Sequence, residues 1–154
     1  LSHQNIKFYI YGDGSDRSHL EEYCKENHIT NVKFKAKWIP LTHVPYVISR
    51  SSLNILNYQK NFGVYGVSSG KLFQYLAAGK PICANLKMNY CLIEGNNLGV
   101  AKDLETPEEY ADAILSIAQL SSSDYSDMCR RVLKVAQRFD YKHLSNKLIK
   151  ILED

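Results

Sequence analysis

Two serines, a glycine and a lysine stand together in VSSGKLFQYLAAGKPI, Val67 to Ile82, and open an apolar segment that reads as a helix. The backbone N–H groups around Ser69 to Leu72, the hydroxyls of Ser68 and Ser69 and the Lys71 ammonium are all donors at one point. A helix dipole adds partial positive charge there, so the set suits an anion, and a diphosphate fits its extent. Gln74 lies one turn on, on the face of Gly70 and Lys71, while Phe73, Leu76 and Ala77 are expected to point inward. For Lys71 or Gln74 taken singly, a solvated surface side chain is the plainer explanation.

Counting residues narrows the anion. A Walker loop needs a glycine five positions before Gly70 and a hydroxyl after the lysine, and those positions hold Tyr65 and Leu72. Without the hydroxyl there is no magnesium ligand, which disfavours an ATPase or GTPase. A second glycine pair, Gly12-Asp13-Gly14, lacks the third glycine of a dinucleotide fingerprint, because that position is Arg17. NAD is therefore disfavoured, and a tight turn and a close ligand approach both remain open. Cys24, Cys83, Cys91 and Cys129 include no C-x-x-C pair and have no paired histidines nearby, so neither a zinc site nor a redox motif is signalled. Reduced thiols in a cytoplasmic protein are the expectation.

These residues need elements to position them. Ile6 to Tyr11 reads as a strand running into the Gly12 turn, and Ser15 or Asp16 can cap a helix to about Asn27 with Leu20, Tyr23 and Cys24 on one face. Val32 to Trp38 alternates as a strand, Pro40 and Pro45 bracket a loop and a short helix over Val44 to Ser49, and Leu53 to Leu56 is apolar and extended. After the loop Asn57 to Ser69 come a helix from Gly70 to Ala78 closed by Gly79, a strand at Pro81 to Ala84, a short helix near Tyr90 to Glu94 and a strand at Leu98 to Ala101. Thr106-Pro107-Glu108-Glu109 has the pattern of a capping box with proline at the first helical position. Helices over Ser123 to Arg138 and Tyr141 to Leu152 end the chain.

Strand and helix alternate about five times, the pattern of an α/β fold with a doubly wound parallel sheet, Rossmann-like, in which ligands bind beyond the carboxyl ends of the strands. The Gly12 turn and the loop from Asn57 to Lys71 both belong at that edge. At 154 residues the chain suits one domain. Its formal charge of +3 is too small to argue for nucleic acid. The charge is unevenly placed: seven acidic residues and no basic one lie between Asp103 and Asp127, and seven basic residues and one acidic between Arg130 and Lys150. A basic terminal helix can touch anionic lipid or a partner domain, and it can equally be a solvated face. There is no signal peptide and no long apolar run; the chain lacks an initial Met and starts almost on a strand, as expected of a piece of a longer protein.

Taken together, SSGKLFQYLAAGKPI resembles the nucleotide-binding signature of retaining glycosyltransferases of GT-B architecture, the family 4 type. FYIYGDGSDRSHLEEY, VKFKAKWI, CLIEGNNLGV and RFDYKHLSNKLIKIL are similar to further elements of the same C-terminal, donor-binding domain, in the same order over essentially the whole chain. The resemblance implies that Ser68, Ser69, Gly70, Lys71 and Leu72 approach the diphosphate of a UDP- or GDP-sugar, that Gln74 holds the ribose, and that Lys37 and Trp38 lie in the base-contacting loop. Gly12 and Gly14 shape the floor of the donor pocket.

Where the family carries a glutamate for the ribose hydroxyls this chain has Gln74, whose amide can accept from one hydroxyl and donate to the other but without the strength of a charged acceptor. The catalytic Arg and Lys of the family belong to a strand expected before Leu1, and the acceptor domain earlier still. The resemblance thus implies a donor domain, residues 1–154, of an enzyme that transfers sugar with retention in polysaccharide or glycoconjugate assembly, without metal or other cofactor. Its acceptor is a glycan or a lipid-linked sugar reached through the missing N-terminal domain, and the full-length enzyme sits in the cytoplasm or peripherally at the inner face of the membrane.

Two other functions stay in view. A degenerate, non-catalytic module of the same fold is favoured by Gln74. A nucleotide-sugar epimerase needs an acid/base cluster, which His3, His19, His28, His43 and His143 do not form in the sequence.

Overall fold

The computed structural model describes residues 5–58, 69–87 and 91–153. They fall into two units, one ending at Val44 and one beginning at Pro45. In the first, β1 (Phe8–Ile10) and β2 (Val32–Phe34) pair in parallel, Phe8 opposite Val32 and Ile10 opposite Phe34. Parallel neighbours need a crossover, and α1 (Arg17–Glu26) supplies it.

The start of α1 differs from expectation. Asp16 stands at the cap but its side chain makes no capping bond, and Ser15 Oγ donates instead to Asp16 Oδ1 at 3.0 Å. At the other end His28 takes the left-handed conformation, φ 52°. Its N–H donates to Lys25 O at 3.2 Å and that of Ile29 to Cys24 O at 2.8 Å, the paired bonds of a Schellman motif closed without glycine. Leu20 and Tyr23, expected on one face with Cys24, are 45% and 50% exposed. Two strands and one helix have too little surface to enclose them, and no described residue up to Val44 is fully buried. A single 3-10 turn at Leu41–His43 follows.

In the second unit α2 (Val44–Ser49, its first residue shared with the boundary) leads to β3 (Asn54–Leu56). Next come α3 (Gly70–Ala77), β4 (Ile82–Ala84), α4 (Leu92–Gly95) and β5 (Gly99–Ala101). The strands lie in the order β3-β4-β5, all parallel, Asn54 opposite Ile82 and Ile82 opposite Gly99. A parallel strand covered on both faces needs apolar side chains throughout, and every residue of β4 is buried. Leu72 and Leu76 of α3, Ile93, Leu98 and Val132 fill the space around it. Each such side chain contributes roughly 1.5–3 kcal/mol when buried.

Asn54, a buried polar residue, is satisfied by Ser51 Oγ, which donates to its Oδ1 at 2.8 Å. Gly99 is held at φ +147° so close to β4 that a Cβ there would lie 1.9 Å from Ile82 O. Gly79, φ +66°, closes α3 as the spacing predicts and lets Leu133 pack against it.

Three helices complete this unit: α5 (Pro107–Ala118), α6 (Ser122–Ala136, followed by a 3-10 turn at Gln137–Phe139) and α7 (Tyr141–Glu153). The capping box at Thr106 forms as its sequence predicts, Thr106 Oγ1 accepting from Glu109 N at 3.2 Å and Glu109 Oε2 from Thr106 N at 3.2 Å. The architecture is α/β with parallel strands and helical crossovers. The single sheet expected from the sequence is seen as two, of two and three strands. The strands are shorter than their apolar runs because ladder pairing, rather than side-chain pattern, sets their ends.

Candidate anion-binding site

The start of α3 has the geometry of an anion site, with fewer open donors than its sequence suggests. Ser69 is the N-cap in an extended conformation, and its Oγ accepts from Lys71 N at 3.2 Å. The Leu72 N–H donates to Ser69 O at 2.9 Å. Two of the expected donors are thus engaged within the turn, and Leu72 turns a side chain only 3% exposed into the core. The Leu72 side chain thus belongs to the core, and its backbone N–H is engaged within the turn.

Among the described residues the Gly70 N–H meets no acceptor, and the exposed Lys71 ammonium has no ion-pair partner. The Ser69 hydroxyl, already accepting, keeps its own proton to donate. Gln74 is half-buried, and its side-chain amide makes no hydrogen bond among the described residues. The inward face is carried by Leu72 and Leu76, with the Phe73 ring 5.0 Å from that of Phe139; Ala77, expected inward, is exposed. Ser68 lies outside the described residues, as does most of the loop that precedes it.

Residues that the sequence did not single out border this turn. Asn85, directly after β4, places its Oδ1 2.8 Å from Tyr58 N and its Nδ2 3.1 Å from Tyr58 O. One side-chain amide so extends the pairing of β3 and β4 past the end of both strands. The bond pair holds Tyr58, whose hydroxyl is sealed from solvent and has no hydrogen-bond partner among the described residues. Burial raises the Tyr58 pKa above its ordinary value, and Cys91 adds to the rise. The Ser69 side chain opposes it. Tyr58 therefore stays a neutral phenol with a proton to give, close to the start of α3. At the same end of the sheet, Tyr110 donates its hydroxyl to Asn57 Oδ1 at 2.5 Å.

The Gly12 turn forms a second cluster in the N-terminal unit. Gly12 has φ +119°, a conformation that favours glycine, and its N–H donates to Ala36 O at 3.1 Å. Gly14 is different: its φ is not left-handed and a Cβ there would meet nothing within 4 Å, so neither conformation nor space requires glycine. Arg17 stands where the third glycine of a dinucleotide fingerprint would be. Its guanidinium donates to the Gly12 carbonyl and to Lys35 O at 2.9 Å, and pairs with Glu21 at 2.8 Å. The side chain ties the turn to the end of β2 at the position where a dinucleotide fold leaves room with glycine.

Lys37 reaches the same turn, its Nζ 3.5 Å from Asp13 Oδ2, in a solvent-exposed pair of small energetic weight. Trp38 is 75% exposed, which removes core packing as its role and leaves an open indole face. The structure thus brings Gly12, Asp13 and Lys37 together in one unit, and Ser69, Gly70 and Tyr58 together in the other.

His19, His28, His43 and His143 are all exposed, and among the described residues no three His, Cys, Asp or Glu side chains gather to hold a metal ion. No described helix is long and apolar enough to cross a membrane. No protein-family model matches the chain, and no curated protein is significantly similar to it.

Proposed function

We propose that this chain is the donor-binding domain of a retaining glycosyltransferase of GT-B architecture, taking its sugar from a UDP- or GDP-sugar. The observation that carries the reading is the start of α3. Among the described residues the Gly70 N–H meets no acceptor and the Lys71 ammonium no counter-ion, and the capping Ser69 keeps a proton to give, at a turn where the helix dipole is positive. In this reading α3 begins at the ligand-binding edge of the three-stranded parallel sheet.

Leaving-group chemistry sets the roles. As the bond from sugar to diphosphate breaks, charge develops on the phosphate oxygens, and the Gly70 N–H, the Ser69 hydroxyl and the Lys71 ammonium are the groups to meet it. Gln74 takes the ribose hydroxyls, and the Lys37-Trp38 loop is assigned to the base on sequence likeness. The chain alone is expected to bind nucleotide weakly and to transfer nothing.

Calorimetric titration with UDP and GDP against UMP and GMP tests the reading. Diphosphates binding at least about tenfold more tightly than monophosphates support it. Equal affinities, or turnover of a sugar nucleotide by the isolated chain, contradict the assignment.

A second reading has a specific observation behind it. The Lys71 and Leu72 N–H groups are already engaged by Ser69, and Gln74 lacks the charge of a glutamate. A degenerate module that keeps the fold and serves a partner predicts no nucleotide response in the same titration.

A further inference from the structure

The charges of the N-terminal unit are sorted by the two faces of its sheet. Side chains alternate along a strand, and register partners in neighbouring strands point to the same face. Tyr9 of β1 is opposite Lys33 of β2. Lys35, just past β2, continues the ladder, its N–H on Ile10 O at 2.8 Å, and its ammonium stands over the Tyr9 ring at 4.9 Å. Lys7, Tyr9 and Tyr11 thus share one face with Lys33 and Lys35, and all five are exposed. The other face belongs to α1, whose Arg17 guanidinium stands over the Phe34 ring at 5.5 Å, and there Phe8 and Val32 are partly buried.

Four of this unit's five acidic residues, Asp16, Glu21, Glu22 and Glu26, lie on α1 or at its cap. The fifth, Asp13, is taken by Lys37 at 3.5 Å. Among the described residues Lys7, Lys33 and Lys35 pair with no carboxylate. The formal charge of +3 for the whole chain conceals this separation.

The arrangement within the face narrows what it suits. One row, along β2, is of ammonium groups; the other, about 4.8 Å to the side along β1, is of phenol rings. Tyr9 is 53% exposed and Tyr11 42%. Side chains within a row stand about 6.6 Å apart. A polymer whose charges and flat groups run side by side meets both rows at once, and single-stranded nucleic acid has that build. An anionic polysaccharide carries its charges on its rings, and an acidic peptide brings charge without a row of flat groups, so neither uses two separate rows. A packed protein domain is a poor cover as well. It would strip water from three ammonium groups that this unit gives no carboxylate, and lysine is depleted from the buried centres of interfaces.

We infer that this sheet face binds single-stranded nucleic acid without sequence preference, its phosphates along Lys33 and Lys35, its bases over Tyr9 and Tyr11, and Lys7 at the head of the aromatic row. A bound strand draws the Lys35 ammonium from the Tyr9 ring to a phosphate and frees the ring for a base. The inference uses no residue of the α3 site and does not depend on the nucleotide-sugar reading.

Fluorescence anisotropy of labelled oligothymidylate, about 12 nucleotides long, titrated with the full chain tests it. Binding is expected at about 50 mM salt, with log K falling against log salt at a slope of about −2, the release expected for three phosphate contacts on a single strand. Lys33→Gln with Lys35→Gln is expected to reduce that slope by about 1.4. Tyr9→Ala and Tyr11→Ala are each expected to weaken binding about tenfold and to leave the slope unchanged. All four side chains are exposed, so the thermal melt of each variant is expected to match that of the parent chain.

Absence of binding at about 50 mM salt overturns the proposal. Equal binding of a duplex, whose bases are closed to the rings, overturns it too. Binding that loses its salt slope in the lysine variant but ignores both tyrosine variants, and that heparin displaces as readily as unlabelled oligothymidylate, shows a site for anionic polysaccharide instead. Displacement by millimolar UDP places the oligonucleotide at α3 and also overturns the inference, whereas binding that UDP leaves intact supports it whether or not UDP binds elsewhere.

Discussion

Asn85 holds Tyr58 by both of its backbone groups, at 2.8 and 3.1 Å, and so carries the β3–β4 pairing one step beyond the strands with a side chain. The consequence reaches the candidate site, because Tyr58 is the residue whose buried phenol lies beside the start of α3. Asn85→Ala removes both bonds and leaves two backbone groups to find water. The expected cost is about 2 kcal/mol in chemical denaturation. The Tyr58 amide should also lose hydrogen-exchange protection well before the amides of β4.

Gly99 is the position least able to change. A methyl group there meets the Ile82 carbonyl at 1.9 Å on a backbone of φ +147°, and the neighbour is main chain of the central strand, which cannot rotate away. Gly99→Ala is expected to destabilise the protein by at least about 3 kcal/mol, read as the denaturation midpoint. Gly14→Ala, where a Cβ meets nothing, is expected to change that midpoint little.

Cys83 makes stability depend on alkaline pH. It is fully buried in β4, and burial pushes its thiol from an ordinary value of 9.0 up to about 11. The unfolded chain gives up this proton near pH 9.0 while the folded chain keeps it to about pH 11. The unfolded state therefore binds fewer protons in that window and is favoured as pH rises. Stability is expected to be level below pH 9.0 and to fall by on the order of 2 kcal/mol across the interval to pH 11. Tyr125, whose hydroxyl donates to Ser52 O and whose pKa burial lifts to about 12, adds its part from pH 10.0 upward. Cys83→Ala should flatten the earliest part of the decline, in urea melts referenced to neutral pH.

What was legible in the sequence was local. The capping box at Thr106, the glycine closing α3 and the order of strands and helices follow from residue types a few positions apart, and those interactions are complete within a turn or two. The mechanism behind the failed Gly12 fingerprint was not legible: Arg17 displaces the missing glycine by reaching Lys35, eighteen residues on in the chain. Asn85 gives no signal at all, since an asparagine after a strand is ordinary until a backbone from another element comes within its reach. On α3 the alanines misled, because Ala77 is apolar enough to read as inward while Leu72 and Leu76 already fill that face. Trp38 too is an aromatic side chain left in solvent, by a unit too small to enclose it.

The most direct test of the nucleotide site is a titration of isotope-labelled chain with UDP and with GDP, followed residue by residue in amide spectra. Shifts at Ser69 through Gln74 and at Tyr58, with one nucleotide preferred, are the predicted result. Lys71→Ala should weaken that binding about tenfold, and Gln74→Glu should tighten it by giving the ribose hydroxyls a charged acceptor. A spectrum unmoved by millimolar UDP and GDP, or shifts that spare the start of α3, would contradict the assignment.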